Sequence, residues 1–358
     1  MKISQYKLFH YAIPLKSPVQ LGQTILQKRE GLILQIIDEN GQGGFGEIAP
    51  LPEFSKESLE EAESEIRRIC RAFLGKLWPQ EFQKVIEHGF PSVCFGIEAS
   101  FYDLKAKTRG VRICELLNKS PRRSISVNGL LTGDLDEILK KAFEYEQSGY
   151  KAVKLKVGQN DVDYDINMTK QVRKAIGEKV LLRLDANRSW NFEDAQKFCK
   201  SVAECNIEYL EEPLADFKSL VPILNKGALA VPIALDETTR EILPEELTKF
   251  ERVKAIVLKP TLLGLEKSLQ FASQAHFQEI TPVMGSSFES GLGLSTIVHM
   301  AAAFNTEDIP AGLDTYSWFA DDIIKNSLPV KNGQINIDDL PEFETVLQSR
   351  LLKEVNTL

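Results

Sequence analysis

Three carboxylates and three lysines in this chain share one placement, at or near the end of a short apolar run. The acids close Leu-Leu-Arg-Leu-Asp185, Ile-Glu-Tyr-Leu-Glu211 and Pro-Ile-Ala-Leu-Asp236. They stand about 25 residues apart, room for one strand, one helix and two loops of a (β/α) barrel. Lys154 and Lys156, within Val-Lys-Leu-Lys-Val, precede the acids at similar spacing, and Lys259, closing Ala-Ile-Val-Leu-Lys, follows them. All six would project from the same end of successive parallel strands, where barrel enzymes build their sites. A single acid after a strand is usually a helix cap or a solvated loop residue. Three brought together would repel unless a cation neutralised them. Mg2+ suits such a set, because it takes oxygen ligands and keeps positions open for a substrate oxygen; Mn2+ fits the same ligands. Glu211 and Glu212 are both candidates, but successive strand residues point to opposite faces, so only one can be a ligand.

Lys154 and Lys156 lie two apart and share a strand face. Val153, Leu155 and Val157 take the other face, towards a helix layer, so the lysines should point into the barrel. Buried lysine is costly unless paired or functional. Two ammonium groups close together would lower one pKa and free an amine to act as a base. Lys259 repeats the placement across the barrel. A lysine on either side of a metal suits proton removal from a carbon acid, with the metal stabilising the enolate oxygen. Gly285-Ser-Ser-Phe-Glu-Ser-Gly-Leu-Gly293 follows another apolar strand and opens an apolar helix, an arrangement whose amides and hydroxyls bind anions.

The elements that must hold these residues begin at Ser124. Strands are predicted at 124–130, 152–157, 180–185, 207–211, 231–236, 255–259, 280–285 and 309–313. Helices at 134–148, 161–176, 191–204, 244–250, 264–275 and 290–304 alternate with them. The helix before 231–236 has the least support, since Pro222 and Gly227 interrupt it. The first hundred residues read differently. Strands at 2–12, 30–38 and 44–48 precede helices at 56–73, capped by Ser55, and at 92–107. Gly41-Gln-Gly-Gly-Phe-Gly46 matches a dinucleotide fingerprint, but two prolines follow at once and forbid the required helix; Glu39-Asn40-Gly41 marks a hairpin instead. Segments 16–28 and 50–56 are expected to be loops over the site. Asn332-Gly333 marks a further hairpin in a tail that folds back on the first domain.

The bulk numbers exclude several classes. The chain has 358 residues, 43% hydrophobic and 26% charged, ordinary for a globular protein. A net charge of −8 argues against nucleic acid or an anionic membrane as partner. No apolar run approaches the ~20 residues of a membrane span, and the N-terminus has no signal core. Five cysteines without Cys-x-x-Cys fit a reducing cytoplasm, and four scattered histidines form no ligand set. Oligomeric state is not encoded in any pattern found.

These residues together resemble the enolase superfamily and, within it, the muconate-lactonizing-enzyme subgroup. The resemblance covers nearly the whole chain. It rests on Phe95-Gly-Ile-Glu-Ala-Ser-Phe-Tyr-Asp-Leu104, Lys154-Leu-Lys156, Asp185-Ala-Asn187, Glu211-Glu-Pro213, Asp236-Glu237 and Lys259-Pro260, in that order. It implies a modified (β/α)7β TIM-type barrel over 122–317. An N-terminal α+β capping domain over 1–121 would be completed by 318–358. It implies one Mg2+ on Asp185, Glu211 and Asp236, with Lys156 as base, Lys154 assisting and Lys259 on the opposite face of a small carboxylate substrate. The shared chemistry is proton abstraction α to a carboxylate. Dipeptide epimerases of the subgroup carry Asp-x-Asp on the eighth strand, whereas this chain has Gly312-Leu313-Asp314. Ser286-Ser287-Phe-Glu-Ser290 and Ile309–Thr315 resemble the o-succinylbenzoate synthases instead. That likeness places Ser286, Ser287, Gly312 and Asn187 near the substrate. It implies syn dehydration of 2-succinyl-6-hydroxy-2,4-cyclohexadiene-1-carboxylate on the route to menaquinone. An N-acylamino acid racemase, a cycloisomerase of the subgroup, or a barrel that only binds a ligand are the alternatives.

Overall fold

The computed structural model describes residues 2–75, 88–216, 220–304, 307–324, 328, 330–344 and 350–355. Strands β1 (Ile3–Leu21), β2 (Thr24–Asp38) and β3 (Gly43–Ile48) form an antiparallel meander. The C-terminal strand β13 (Leu352–Val355) pairs antiparallel with β1, giving the order β13-β1-β2-β3. The predicted 16–28 loop is therefore the distal half of a long hairpin, with an irregularity between Pro14 and Val19. Side-chain alternation gives the sheet two apolar faces. Leu8, Leu32, Leu34 and Ile36 pack with Ile66, Ile69, Ile97 and Phe101, while Phe9, Tyr11, Ile33 and Phe45 join the core shared with the barrel.

Helix α1 (Leu59–Phe73) starts three residues later than expected, with Ser58 as its cap. Ser58 Oγ accepts from the Glu61 amide at 3.2 Å, and the Glu61 carboxylate accepts from the Ser58 amide at 2.8 Å. That reciprocal box needs an acid three residues after the serine, which Ser58 has and Ser55 lacks. The Ser55 hydroxyl instead accepts from the Leu51 amide. Helix α2 (Pro91–Arg109) lies so close to β3 that a Cβ at Gly46 would strike the Gly96 carbonyl. The glycine-rich run thus serves close strand–helix packing, as its hairpin context suggested. A short helix α3 (Ile113–Leu117) leads into the barrel.

The barrel strands are β5 (Asn128–Leu131), β6 (Ala152–Lys156), β7 (Leu181–Asp185), β8 (Ile207–Glu211), β9 (Ile233–Leu235), β10 (Val253–Leu258) and β11 (Thr281–Met284), all parallel and neighbours in that order. The expected eighth strand is reduced to two parallel bridges, Val127 to Ala311 and Gly285 to Gly312, which close the ring. Pro310 removes a ladder donor there and keeps the strand short. The first predicted barrel strand is divided, because β4 (Ser124–Ser126) pairs antiparallel with β12 (Gln334–Asn336). Outer helices are α4 (Leu135–Gln147), α5 (Val162–Ile176), α6 (Phe192–Ser201), α7 (Leu220–Asn225), α8 (Pro260–Leu263), α9 (Leu265–Phe277) and α10 (Gly291–Phe304). The predicted helix at 244–250 is a 3-10 segment over Pro244–Lys249. Residues 217–219, just before α7, lie outside the described set. Among the described residues no helix is long and apolar enough to cross a membrane, and all five cysteines are free thiols.

One carboxylate ties the first sheet to the barrel. Glu47, fully buried on β3, accepts from the Ser290 and Gly293 amides, each at 2.9 Å, from Ser290 Oγ at 2.5 Å, and from the Tyr11 hydroxyl. It fills the positive N-terminal end of α10. Glu47→Ala leaves four buried donors without that acceptor and should cost roughly 3–5 kcal/mol in urea unfolding. Glu47→Gln retains an acceptor oxygen and should lose clearly less. Equal losses would show that the site responds to volume rather than to these bonds.

Candidate active site

Strand register brings the predicted residues together. Lys156 pairs with Asp185, Asp185 with Glu211, and Glu211 with Ala234, so three strand ends are level; Asp236 and Lys259 follow directly after β9 and β10. β6 and β10 are four strands apart in a ring of eight, which sets Lys156 and Lys259 on opposite sides. Lys154 Nζ is 2.8 Å from Asp185 Oδ2 and 2.6 Å from Glu211 Oε2. Lys156 Nζ lies 2.7 Å from the same Asp185 oxygen and donates to Asn187 Oδ1 at 2.6 Å. Lys259 Nζ is 2.5 Å from Asp236 Oδ2. The three acids are buried, and the side chain of Lys156 is the most open of the lysines at 27% exposed, against 19% for Lys259 and 12% for Lys154.

For Lys154 the cross-strand acids outweigh its lysine neighbour. Burial disfavours charge on Lys154, but Asp185 and Glu211 outweigh it and hold its pKa well above the usual value. Lys259 is raised too, its burial outweighed chiefly by Asp236. Burial opposes the Asp185 charge as well, yet Lys154, Lys156 and Lys259 keep it well below the ordinary carboxylate range. Glu211 has too little compensation. Burial, reinforced by Asp185 and Asp236 against the opposing pull of Lys154, pushes it up to about 7. The like charges expected to dominate are thus interleaved with unlike ones.

The carboxylates are drawn to ammonium groups rather than gathered about one point. Among the described residues no group of three or more His, Cys, Asp or Glu is disposed to hold a metal ion. The donor set itself is all carboxylate oxygen, which suits a hard divalent cation. The two neighbouring glutamates differ in their contacts. Glu211 lines the cavity. Glu212, at φ 38°, accepts from the Asp236 and Thr238 amides at 2.9 and 2.8 Å and from Arg188 Nε at 3.0 Å. Its oxygens are occupied in holding the Asp236 loop.

The cavity in front of these groups measures about 490 Å³. Lys154, Lys156, Asn187, Glu211, Lys259, Ser286, Ser287 and Gly312 all line it. Ser286 Oγ contacts Thr315 Oγ1 and the Gly312 carbonyl, and the buried Ser287 Oγ has no partner. The helix end behind them is not open to a ligand as expected. Glu47 occupies the Ser290 and Gly293 amides, and Asp322 accepts from the Gly291 amide. The protein's own carboxylates satisfy that helix end. Asp314 also lines the cavity, but its Oδ2 accepts from the Leu130 amide at 2.9 Å and the Tyr145 hydroxyl at 2.6 Å.

Val19, Leu21, Leu51 and Phe54 wall the cavity from the first sheet and the segment after it. The 50–56 segment thus reaches the site as expected, and the 16–28 segment does so as strand. Tyr209 and Glu237, which line the cavity, and Arg183, stacked on Tyr209, were not among the residues expected at the site. Arg183 and Tyr209 stand two residues before Asp185 and Glu211, so their inward direction was legible from the strand period. Arg183 is fully buried, bonded to Glu208 Oε2 at 2.6 Å, Asn128 Oδ1 at 3.2 Å and the Pro310 carbonyl at 2.6 Å. Glu237 accepts from Asn187 Nδ2 at 3.2 Å; burial, with Asp236 beside it, raises its pKa.

The chain resembles known proteins over both of its parts. The family model described as enolase C-terminal domain-like matches residues 137–341, and that of the MenC N-terminal domain matches residues 3–104. The o-succinylbenzoate synthase of Pasteurella multocida is 36% identical over 87% of this chain and 89% of its own length. That of Aliivibrio salmonicida is 32% identical over 96% and 99%. The chain belongs to the o-succinylbenzoate synthase family of the enolase superfamily. Solved structures agree on the fold. An L-Ala-D/L-Glu epimerase of Bacillus subtilis superposes with a TM-score of 0.84 at 25% identity, covering 94% of this chain and 96% of its own. An N-succinyl Arg/Lys racemase of Bacillus cereus gives 0.86 at 22% identity, covering 99% and 100%. Members of this family are enzymes, and the fold is the architecture they share with those neighbours.

The two glutamates should behave oppositely on substitution. Glu212→Gln breaks a buried ion pair with Arg188 and should lower stability by about 3 kcal/mol. Glu211→Gln removes one of three crowded carboxylates and should leave the unfolding temperature unchanged or raise it. Thermal unfolding of both variants checks this; a large loss at Glu211 alone would contradict the assignment of which glutamate is structural.

Proposed function

We propose that this protein is a Mg2+-dependent o-succinylbenzoate synthase. It would dehydrate 2-succinyl-6-hydroxy-2,4-cyclohexadiene-1-carboxylate to 2-succinylbenzoate, a step towards menaquinone. The observation that carries the reading is a lysine on each side of a buried carboxylate trio, in a chain of that family. Residues 1–121 with 318–358 would cap the barrel of 122–317. The free thiols support a reducing compartment, and we place the protein in the cytoplasm.

Asp185, Glu211 and Asp236 would hold the metal, Mn2+ being an acceptable substitute. When bound, Mg2+ supplies positive charge to a substrate carboxylate and lowers the cost of the charge that grows there. A divalent cation also meets the demand expressed by Glu211, whose neighbours leave it short of positive charge. The remaining steps belong to the side chains. Lys156, the most open of the three lysines, takes the proton from the carbon bearing the carboxylate. Asn187 and Asp185 orient its amine. Lys259, across the barrel, stabilises the resulting enediolate charge. The protonated Lys156 then donates to the departing hydroxyl on the same face. One C–H and one C–O bond break, water leaves, and the ring becomes aromatic. Lys154 stays charged between Asp185 and Glu211 and holds the trio together. Ser286, Ser287 and Gly312 would face the carboxylate groups of the substrate. Epimerase-type binding of an ammonium is disfavoured, because Asp314 is already committed to Leu130 and Tyr145.

Purified protein with Mg2+ should convert the diene acid, chelation should abolish turnover, and Mg2+ or Mn2+ should restore it. Lys156→Ala should lower kcat at least about 10³-fold with an unchanged unfolding curve. Inactivity of the wild type on this substrate would sink the assignment. Rapid α-hydrogen exchange of N-succinylamino acids in D2O without diene turnover would point to a racemase instead.

A further inference from the structure

Beyond its bond to Cε, the Lys156 nitrogen has three tetrahedral positions. Two of them are taken: it donates to Asp185 Oδ2 at 2.7 Å and to Asn187 Oδ1 at 2.6 Å. The third is left for the cavity that Lys156 lines. The aim of the amine therefore depends on Asn187 presenting its oxygen and not its nitrogen. A side-chain amide has an acceptor end and a donor end, and turning it over exchanges them. Turned over, Nδ2 would meet Nζ donor to donor. Asn187 is exposed, so packing does not choose between the two orientations. Glu237 does. Its Oε1 accepts from Asn187 Nδ2 at 3.2 Å, and a carboxylate can accept only from the nitrogen end of the amide.

The backbone on both sides is built to hold that bond. Asn187 takes φ 42°, a left-handed conformation that asparagine adopts more readily than most residues, and its amide donates to Asp185 Oδ1 at 3.0 Å. Glu237 opens the 3-10 turn Glu237–Arg240, and the amides on either side of it, Asp236 and Thr238, both donate to Glu212. Arg188, next to Asn187, straps the two turns together through Thr238 Oγ1 at 3.0 Å and Glu241 Oε1 at 2.5 Å. Asn187 and Glu237 both line the active-site cavity. Glu237 is not placed there for stability. Its Oε2 is buried with no hydrogen-bond partner, an arrangement that costs free energy. Its one side-chain bond is to the amide that orients Lys156.

We propose that Glu237 is a positioning residue for the base. It fixes the orientation of the Asn187 amide, and Asn187 in turn aims the Lys156 amine into the cavity. The inference rests on the reading of Lys156 as the base. No proton passes along the chain from Lys156 through Asn187 to Glu237, which acts on geometry alone.

At saturating Mg2+, Glu237→Ala should lower kcat about 30-fold and leave KM within about twofold. Glu237→Gln loses the charge but keeps an acceptor oxygen for Nδ2, and should stay within about threefold of wild type. In an Asn187→Ala background, Glu237→Ala should have no further effect. Unchanged kcat in Glu237→Ala, a glutamine variant as slow as the alanine one, or a full second loss in the Asn187→Ala background would overturn the proposal. Titration with Mn2+ should give equal affinity in wild type and Glu237→Ala; a matching loss of affinity would show that Glu237 acts through the metal site instead. A readout without substrate keeps the inference separate from the assigned reaction. Cyanate labelling of Lys156, read by peptide mass spectrometry, should be about threefold faster in Glu237→Ala, because the amine loses a hydrogen-bond partner, and unchanged in Glu237→Gln. If wild type fails to turn over the diene acid, that labelling pattern still supports the positioning role. Equal labelling in wild type and Glu237→Ala overturns it.

Discussion

Three carboxylates buried at one barrel end set the central constraint. Removed from water, they repel one another and lose solvation, so the fold holds them only by threading cations between them. Lys154 reaches two of the acids, Lys156 shares one of them, and Lys259 takes the third. This interleaving depends on register. A slip of one residue in β6, β7 or β8 would turn lysine or acid outward into the helix layer and leave its partners uncompensated. The apolar residues between them, Val153, Leu155, Leu182 and Leu184, fix that register because they have only one buried face to occupy. Core packing and site chemistry are therefore alternate positions of the same strands.

The first sheet is joined to this end of the barrel by polar contacts that leave little freedom. Glu47 fills the start of α10. Arg29, fully buried, donates to the carbonyls of Ala49, Pro50 and Phe288. Both residues therefore hold the loop that carries Ser286 and Ser287. Such networks are stable only when each member is satisfied. Their geometry makes the cavity wall a property of both parts of the chain, with Val19, Leu51 and Phe54 set against strand-end residues of the barrel. The tip of the β1–β2 hairpin is pinned in turn, since Thr24 donates to Glu53 at 2.6 Å.

The barrel and its charged residues were legible because they follow a period. Acids about 25 residues apart and lysines two apart have few structural explanations. Local rules served where their full pattern was checked, and failed where it was not. Ser58 has an acid at the third following position and Ser55 has not, so the helix begins at Leu59. The last barrel strand shrank to bridges because Pro310 cannot continue a ladder. The high pKa of Lys154 was not legible, because two lysines were considered without their cross-strand acids. Sequence spacing places each charge along its own strand. It says nothing of which oxygen lies 2.6 Å from Lys154.

The contacts between distant segments were illegible for a deeper reason. Glu47 and Ser290 are 243 residues apart, and nothing local to either announces the other. The motif at 285–293 did announce an anion, and one is there, but it is a side chain from the first sheet. The same local chemistry thus serves a ligand or a fold, and only the tertiary partner decides which. This separates two kinds of residue at the site. The proposed proton-moving lysines sit on a strand or directly after one and obey the strand period. Others that line the cavity, such as Phe54, Ser287 and Thr315, sit on connecting segments whose positions come from long-range packing. A barrel of this design can therefore keep its half-reaction while its walls change, since the acids and lysines stabilise one another without reference to what lies in front of them.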